Sequence, residues 1–248
     1  MKSFRHLTAF IFFVLCLNAT THAEGIHQKP SGGKAPVEVV RTENLIIYYP
    51  SFARIDLVTG KMPSKTDEEV IFCCAAAFTG ERLTEFRHSN IAGHHVSGGE
   101  YHQGYKCGVN NGLFTWSKKS GWRFYNYAHA NSVTPLKKAA SEKGMGFGQS
   151  LLVNNKREMT GCKKAGAKNH YRALCSLDGR LCIIDSKNSI TFKAFKTLLI
   201  KQGVTYAMYC DMGTGWNYSW YRDKEGKAVE IHSIPGKYTT NWITFYSK

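Results

Sequence analysis

Acidic side chains are scarce in this chain: 18 Asp and Glu stand against 33 Lys and Arg. Such a balance favours anionic partners: a phosphorylated glycan, an acidic polymer, a membrane surface or nucleic acid. The basic residues are scattered, in singles and in pairs such as Lys137-Lys138 and Lys163-Lys164. No nucleic-acid motif accompanies them, so nucleic acid is not an expected partner. Long apolar runs are also lacking. Only Leu7 to Leu17 stands out, and it is too short for an ordinary membrane span. Lys2, Arg5 and His6 precede it and Thr21-His22-Ala23 follows, the pattern of a cleaved signal peptide over residues 1–23. The chain is therefore expected to be exported, to a periplasm or outside the cell, with no transmembrane anchor after cleavage. Residues 24–36 are polar and glycine-rich and read as a flexible leader. Residues 37–248 are enough for one domain with a full core.

Zinc-type cysteine spacing is missing too. Loss of Cys16 with the signal leaves Cys73, Cys74, Cys107, Cys162, Cys175, Cys182 and Cys210. An odd number in an exported protein means at least one free or intermolecular thiol. Cys175, Cys182 and Cys210 sit in apolar segments, where a thiol behaves as a small core residue. Cys107 with Cys162 is a candidate disulfide. There is no internal repeat and no low-complexity block.

The most informative stretch runs from Tyr171 to Arg222. Two apolar segments, 171–177 and 180–185, flank Asp178-Gly179. That dipeptide marks a hairpin, because both central residues of a type I′ turn need positive φ. Phe192, Phe195 and Leu199 then recur on one helical face. Ser189 or Thr191 can cap the start of that helix, and Gly203 suits the residue beyond its end. Val204 to Cys210 reads as a strand that stops abruptly at Asp211-Met212-Gly213-Thr214-Gly215-Trp216-Asn217. A helix between two strands permits a parallel crossover. Loops at the carboxyl ends of strands are where open sheets place ligands. Asp211 is thus a candidate site carboxylate, or else a turn cap.

Upstream, Val37 to Tyr49 should form one or two strands, with another extended segment at Ser51 to Leu57. Val70 to Phe78 is a continuous apolar run that fits a buried strand. Glu81 to Gly112 reads as a long loop, carrying Asn90, His94, His95, Glu100 and His102. Its polar groups suit sugar hydroxyls or phosphate. His94, His95, His102 and Cys107 offer a metal reading instead, weakened because adjacent residues of an extended chain face opposite ways. A plain surface loop is the third reading. Leu113 to Tyr127 is an aromatic hairpin, and a short helix is expected after Pro135. Leu151-Leu152-Val153 before the Asn154-Asn155-Lys156 turn is a further strand, and 227–232 and 242–246 read as closing strands.

The order of Asp-Gly hairpin, Thr-Phe-x-x-Phe-x-x-x-Leu helix, Gly-Val, strand and Asp-x-Gly resembles the phosphodiester glycosidase family, to which the lysosomal uncovering enzyme belongs. Arg172 matches an Arg that opens the first strand in that family. The likeness runs from about Val70 to the C-terminus and is stronger after Phe147. Two departures stand out. The family's Asp-Gly-Gly-Gly-Ser-Ser is here Asp211-Met212-Gly213-Thr214-Gly215-Trp216, without the Ser pair. Its Asn-Gly-Gly-Phe-Phe is matched only by Ala76-Ala77-Phe78, without the Asn.

The resemblance implies an α+β single domain of mixed β-sheets with a few packed helices. It implies a hydrolase cleaving a sugar-1-phosphodiester at the glycosidic carbon, in a glycan or exopolysaccharide. A phosphate monoester is a good leaving group, so strong acid assistance matters less than in ordinary glycoside hydrolysis. One carboxylate and a set of phosphate donors are the minimum. Asp211 is the candidate carboxylate and Glu100 a second. Arg172 can grip phosphate bidentately, or form a structural pair with Asp185 or Asp211. Gly213, Thr214 and Asn217 are candidate substrate contacts, with Asn90, His94, His95 and His102 from the loop. Trp216 and Trp220 could form a sugar platform or pack in the core. The reading assigns no metal ion and no cofactor, and the partner is an anionic carbohydrate. The altered motifs leave open an inactive glycan-binding module on the same scaffold. A thiol hydrolase using Cys73 or Cys74 is disfavoured by their apolar surroundings.

Overall fold

The computed structural model describes residues 35–79, 91–104, 111–127, 133–160, 166–213, 215–232 and 238–248. The signal and most of the leader read from the sequence lie outside these residues, as do Asn90, Cys107, Cys162 and Thr214. Three sheets and two helices make up the described chain.

The largest sheet has seven strands. In chain order these are β1 (Val37–Arg41), β2 (Leu45–Pro50), β10 (Leu151–Asn154), β11 (Arg157–Glu158), β12 (Arg172–Leu177), β13 (Arg180–Ser186) and β14 (Tyr206–Cys210). Their spatial order is β1-β2-β13-β12-β14-β10-β11. The second sheet holds β3 (Arg54–Thr59), β4 (Val70–Ala75), β15 (Ser219–Arg222), β16 (Ala228–Ile231) and β17 (Asn241–Tyr246), in the order β16-β15-β4-β17-β3. The third holds β5 (His95–Ser97), β6 (Glu100–His102), β7 (Gly112–Ser117), β8 (Gly121–Asn126) and β9 (Met145–Gln149), in the order β6-β5-β9-β7-β8. The helices are α1 (Val133–Ser141) and α2 (Phe192–Lys201).

The α+β, single-domain expectation holds, with strands dominating. The paired strands are antiparallel. The expected crossover takes a specific form. β13 and β14 both run antiparallel to β12, so they share a direction, and α2 carries the chain from one to the other across β12. The turn between β12 and β13 has Asp178 at φ 51° and Gly179 at φ 72°, as a type I′ turn requires. Thr191 caps α2 by accepting from Ala194 N–H at 3.2 Å, and Gly203 follows its end at φ 88°. Phe192, Phe195 and Leu199 bury against Ala173, Cys175 and Tyr209 of the large sheet. Each such side chain stabilises by about 2 kcal/mol.

Four elements differ from expectation. The stretch 81–112 is not all loop, because β5 and β6 form a short hairpin that β5 ties to β9. β15 is a strand with no local signal, formed by pairing between β4 and β16. α1 begins two residues before Pro135 rather than after it; a first-turn proline lacks only an N–H that no helical carbonyl would accept. The segment from Met145 to Asn154 is two strands, and the chain changes sheets between them. There Ser150 N–H donates to Gln149 Oε1 at 2.8 Å, and Leu151 N–H to Asn111 Oδ1 at 2.7 Å.

One core cluster draws on all three sheets, with Leu174, Ile183 and Met208 meeting Phe72 and Phe245 and also Phe114 and Phe147. It covers the inner face of the large sheet, while α2 covers the outer face. Among the described residues no helix is long and apolar enough to cross a membrane.

Candidate functional site at the strand ends

The start of β12, the end of β13 and the end of β14 meet at one edge of the core. The two-residue turn sets this register. Counting outward from Leu177 opposite Arg180 brings Arg172 opposite Asp185. On its other side Arg172 lies opposite Cys210. Paired residues of a ladder share a face, so Arg172, Asp185 and Cys210 all point inward.

Arg172 is 0% exposed. Its Nε donates to Asp185 Oδ1 and its Nη2 to Asp185 Oδ2, both at 2.6 Å. Burial opposes the guanidinium charge, but the Asp185 carboxylate outweighs it and pushes the Arg172 pKa up. Nη1, on the side away from Asp185, has no hydrogen-bond partner among the described residues. A buried, unpaired donor of this kind costs roughly 1–3 kcal/mol. Such a cost is tolerated where the group has another use.

Asp211 follows Cys210 directly, so it falls on the opposite face from Arg172. Its N–H donates to Ala76 O at 3.0 Å, which ties the end of β14 to the end of β4. The carboxylate facing Arg172 is therefore Asp185 and not Asp211. Burial, and then the charge of Asp211, push the Tyr209 hydroxyl pKa up. That hydroxyl donates to Met212 O at 3.0 Å and accepts from Met212 N–H at 3.1 Å, pinning the loop after β14. Gly213 O then accepts from Trp216 N–H at 2.9 Å and Asn217 N–H at 3.2 Å. Asn217 Oδ1 is buried without a partner among the described residues. Trp216 Nε1–H donates to Thr79 Oγ1 at 2.8 Å, and its ring lies 5.1 Å from that of Tyr238. Trp220 is fully buried and belongs to the core.

At Ala76-Ala77, where the resemblance leads one to look for an Asn, the polar partner comes from the far end of the chain. Asn241 Oδ1 accepts from Ala77 N–H at 2.8 Å, and its Nδ2 donates to Ala77 O at 3.1 Å.

Two histidines that the sequence did not single out belong here. His170 precedes β12, and His232 follows β16 at φ 59°. Their rings lie 5.4 Å apart. His170 Nδ1 is 3.4 Å from Ser186 O, beside Asp185. Burial lowers the His232 pKa, Arg172 lowers it further, and Asp185 works the other way. The only sequence signal for the pair is position, since each histidine borders a strand end.

The loop histidines are placed differently. His95 pairs with Phe147, and β5 runs from the Gln149 end of β9 toward the Met145 end. Gln149 Nε2–H donates to Ala76 O at 3.5 Å, so His94 and His95 lie on the side of the third sheet nearest the strand ends. His95 is buried and stacks 5.1 Å from His102. Burial depresses its pKa to about 4. His94 Nδ1 and the Tyr101 hydroxyl are 3.0 Å apart. Glu100 pairs with Ser97 at the hairpin turn, the far end of β5, and is exposed. Arg172 and Asp211 thus share the strand ends but face opposite sides of the sheet, and Glu100 lies apart from both. Among the described residues no three His, Cys, Asp or Glu side chains form a metal-binding group. Cys73 and Cys74 are fully buried, and burial pushes the Cys73 thiol pKa well up, against a nucleophilic thiolate.

No protein-family profile matches the chain, and no curated protein matches it in sequence. Solved structures do match in fold. The catalytic domain of zebrafish N-acetylglucosamine-1-phosphodiester alpha-N-acetylglucosaminidase, auto-inhibited by its pro-peptide, superposes with a TM-score of 0.59. The match covers 89% of this chain and 86% of that one at 10% sequence identity. At that identity the likeness is one of fold. It is a distant structural relationship to a hydrolase.

Proposed function

We propose that this chain is an exported hydrolase that cleaves sugar-1-phosphodiesters at the glycosidic bond. The observation that carries the reading is Arg172. Asp185 holds two of its nitrogens, and the third is buried without a hydrogen-bond partner among the described residues, at the strand end where Asp211 follows Cys210 on the opposite face. Fold likeness to a phosphodiester glycosidase supports the same reaction class.

Asp185 fixes the plane of the guanidinium, and Nη1 donates to a phosphate oxygen. Arg172 is fully covered, so Nη1 must become reachable as substrate enters. Asp211 starts from the other face of β14, so the substrate must span the strand end for it to activate water or stabilise the cationic sugar as the bond to phosphate breaks. The loop 211–217 supplies Gly213 N–H and the Asn217 side chain to the sugar. Phosphate leaves without a strong acid.

The test is release of free sugar from a panel of sugar-1-phosphodiesters, with wild type beside Asp211→Asn. Release by wild type and at least a hundredfold loss in the variant is the expected result, in keeping with about 10²–10⁴-fold for a positioned acid or base. Binding without turnover would turn the reading to a glycan-binding module.

A further inference from the structure

Three segments bring nitrogen donors to the strand ends. β12 contributes Arg172 Nη1, which faces away from Asp185. His170 lies two residues before β12 and His232 directly after β16, their rings 5.4 Å apart. The electrostatic influence of both Arg172 and Asp185 reaches His232. Asp185 is the carboxylate acting on His232, and both its oxygens are held by Arg172. The other polar groups whose influence reaches Arg172 are Tyr48 from β2 and Cys74 from β4.

His232 also holds a left-handed backbone, at φ 59°. A non-glycine residue adopts that conformation at a cost, and such strain clusters where function requires it. His170 and His232 have no role in the hydrolysis outlined above.

We propose that His170 and His232, with Nη1 of Arg172, form a proton-coupled seat for a tetrahedral oxyanion, so that anion binding draws a proton onto the imidazoles. The phosphoryl group as occupant rests on the proposed function; the seat itself rests on the geometry. Burial and the Arg172 guanidinium both disfavour a proton on His232 while the seat is vacant. A dianion between the rings reverses the sign, because a nearby opposite charge favours the charged form. Loss of that proton lets the charged phosphate leave. The seat would thereby couple release of the phosphate product to pH.

The test uses the full chain with inorganic phosphate and, separately, sulfate, whose charge is constant across neutral pH. Binding is followed by calorimetry in buffers of different ionisation enthalpy and by imidazole NMR. Wild type should bind both anions with net proton uptake. Sulfate affinity should fall by up to about tenfold per pH unit as pH rises through the histidine range. The pKa values of His170 and His232 should rise on binding. The comparison variant is His170→Asn with His232→Asn, since asparagine tolerates the left-handed conformation. It should keep its circular dichroism, lose at least about tenfold in affinity, the equivalent of one pKa unit of coupling, and lose the proton uptake. Anion binding without proton uptake or histidine response would overturn the seat, as would no binding at all. Anion binding at the pair in a chain that hydrolyses no phosphodiester would leave the seat standing and remove the activity. Turnover without histidine response would do the reverse.

Discussion

Replacing Asp185 by Asn tests whether the core is built around a buried ion pair. The side chain keeps its size but loses the charge opposite a guanidinium that is 0% exposed. Both 2.6 Å bonds from Arg172 end on this carboxylate. Burial and Asp185 act on Arg172 in opposite directions, and the carboxylate prevails. Without it, a full positive charge remains among Tyr48, Cys74 and Cys210. Breaking a buried pair from one side typically costs 3–5 kcal/mol. With a urea slope of about 2–3 kcal/mol/M for a domain of this size, the midpoint should fall by about 1–2 M. The control is the double variant Arg172→Met, Asp185→Leu. Removing both charges removes the desolvation cost as well, so it should be more stable than Asp185→Asn. Urea unfolding at pH 7 of the wild type, both single variants and the double variant measures the coupling. A loss under about 1 kcal/mol in Asp185→Asn, the range of an exposed pair, would refute the reasoning.

Asn241→Ala should cost roughly 2–4 kcal/mol, because Ala77 N–H and C=O would both be left buried and unpaired; thermal melting checks it. Gly144→Ala should destabilise by roughly 1–3 kcal/mol, since its Cβ would come 2.1 Å from Trp116 O, and hydrogen exchange in β7 should rise. His95 gives a pH prediction with a defined sign. Its folded pKa is about 4, below its unfolded value, so the unfolded chain binds its proton first. Its contribution is intact above about pH 6.5 and is lost as pH falls toward 4, up to about 3 kcal/mol in all. His95→Gln should flatten that part of the stability–pH curve, measured by urea midpoints across the range.

The local elements were legible because their signals are local. Asp178-Gly179 dictated its turn, and the turn fixed the register that pairs Arg172 with Asp185. That pairing can be counted off the sequence once the hairpin is accepted. Thr191, the Phe192-Phe195-Leu199 stripe and Gly203 bounded α2 in the same way. β15 was not legible, because Ser219 to Arg222 carries no apolar alternation and owes its extended form to pairing with β4, distant in sequence, and with β16. The same holds for β5, whose His-rich segment is extended by pairing with β9. His170 and His232 were missed for a related reason. A single histidine at a strand end carries no pattern, and only the fold brings the two rings together. The face of Asp211 was missed because alternation had to be followed past the end of β14.

The most direct test of the proposed chemistry asks which bond breaks. A sugar-1-phosphodiester should be hydrolysed in ¹⁸O-labelled water and both products weighed by mass spectrometry. Cleavage at the glycosidic carbon places the label in the free sugar and none in the phosphate, which is the predicted result. Label in the phosphate would mean attack at phosphorus, and the assignment of Asp211 and the strand-end site to glycosidic cleavage would be wrong.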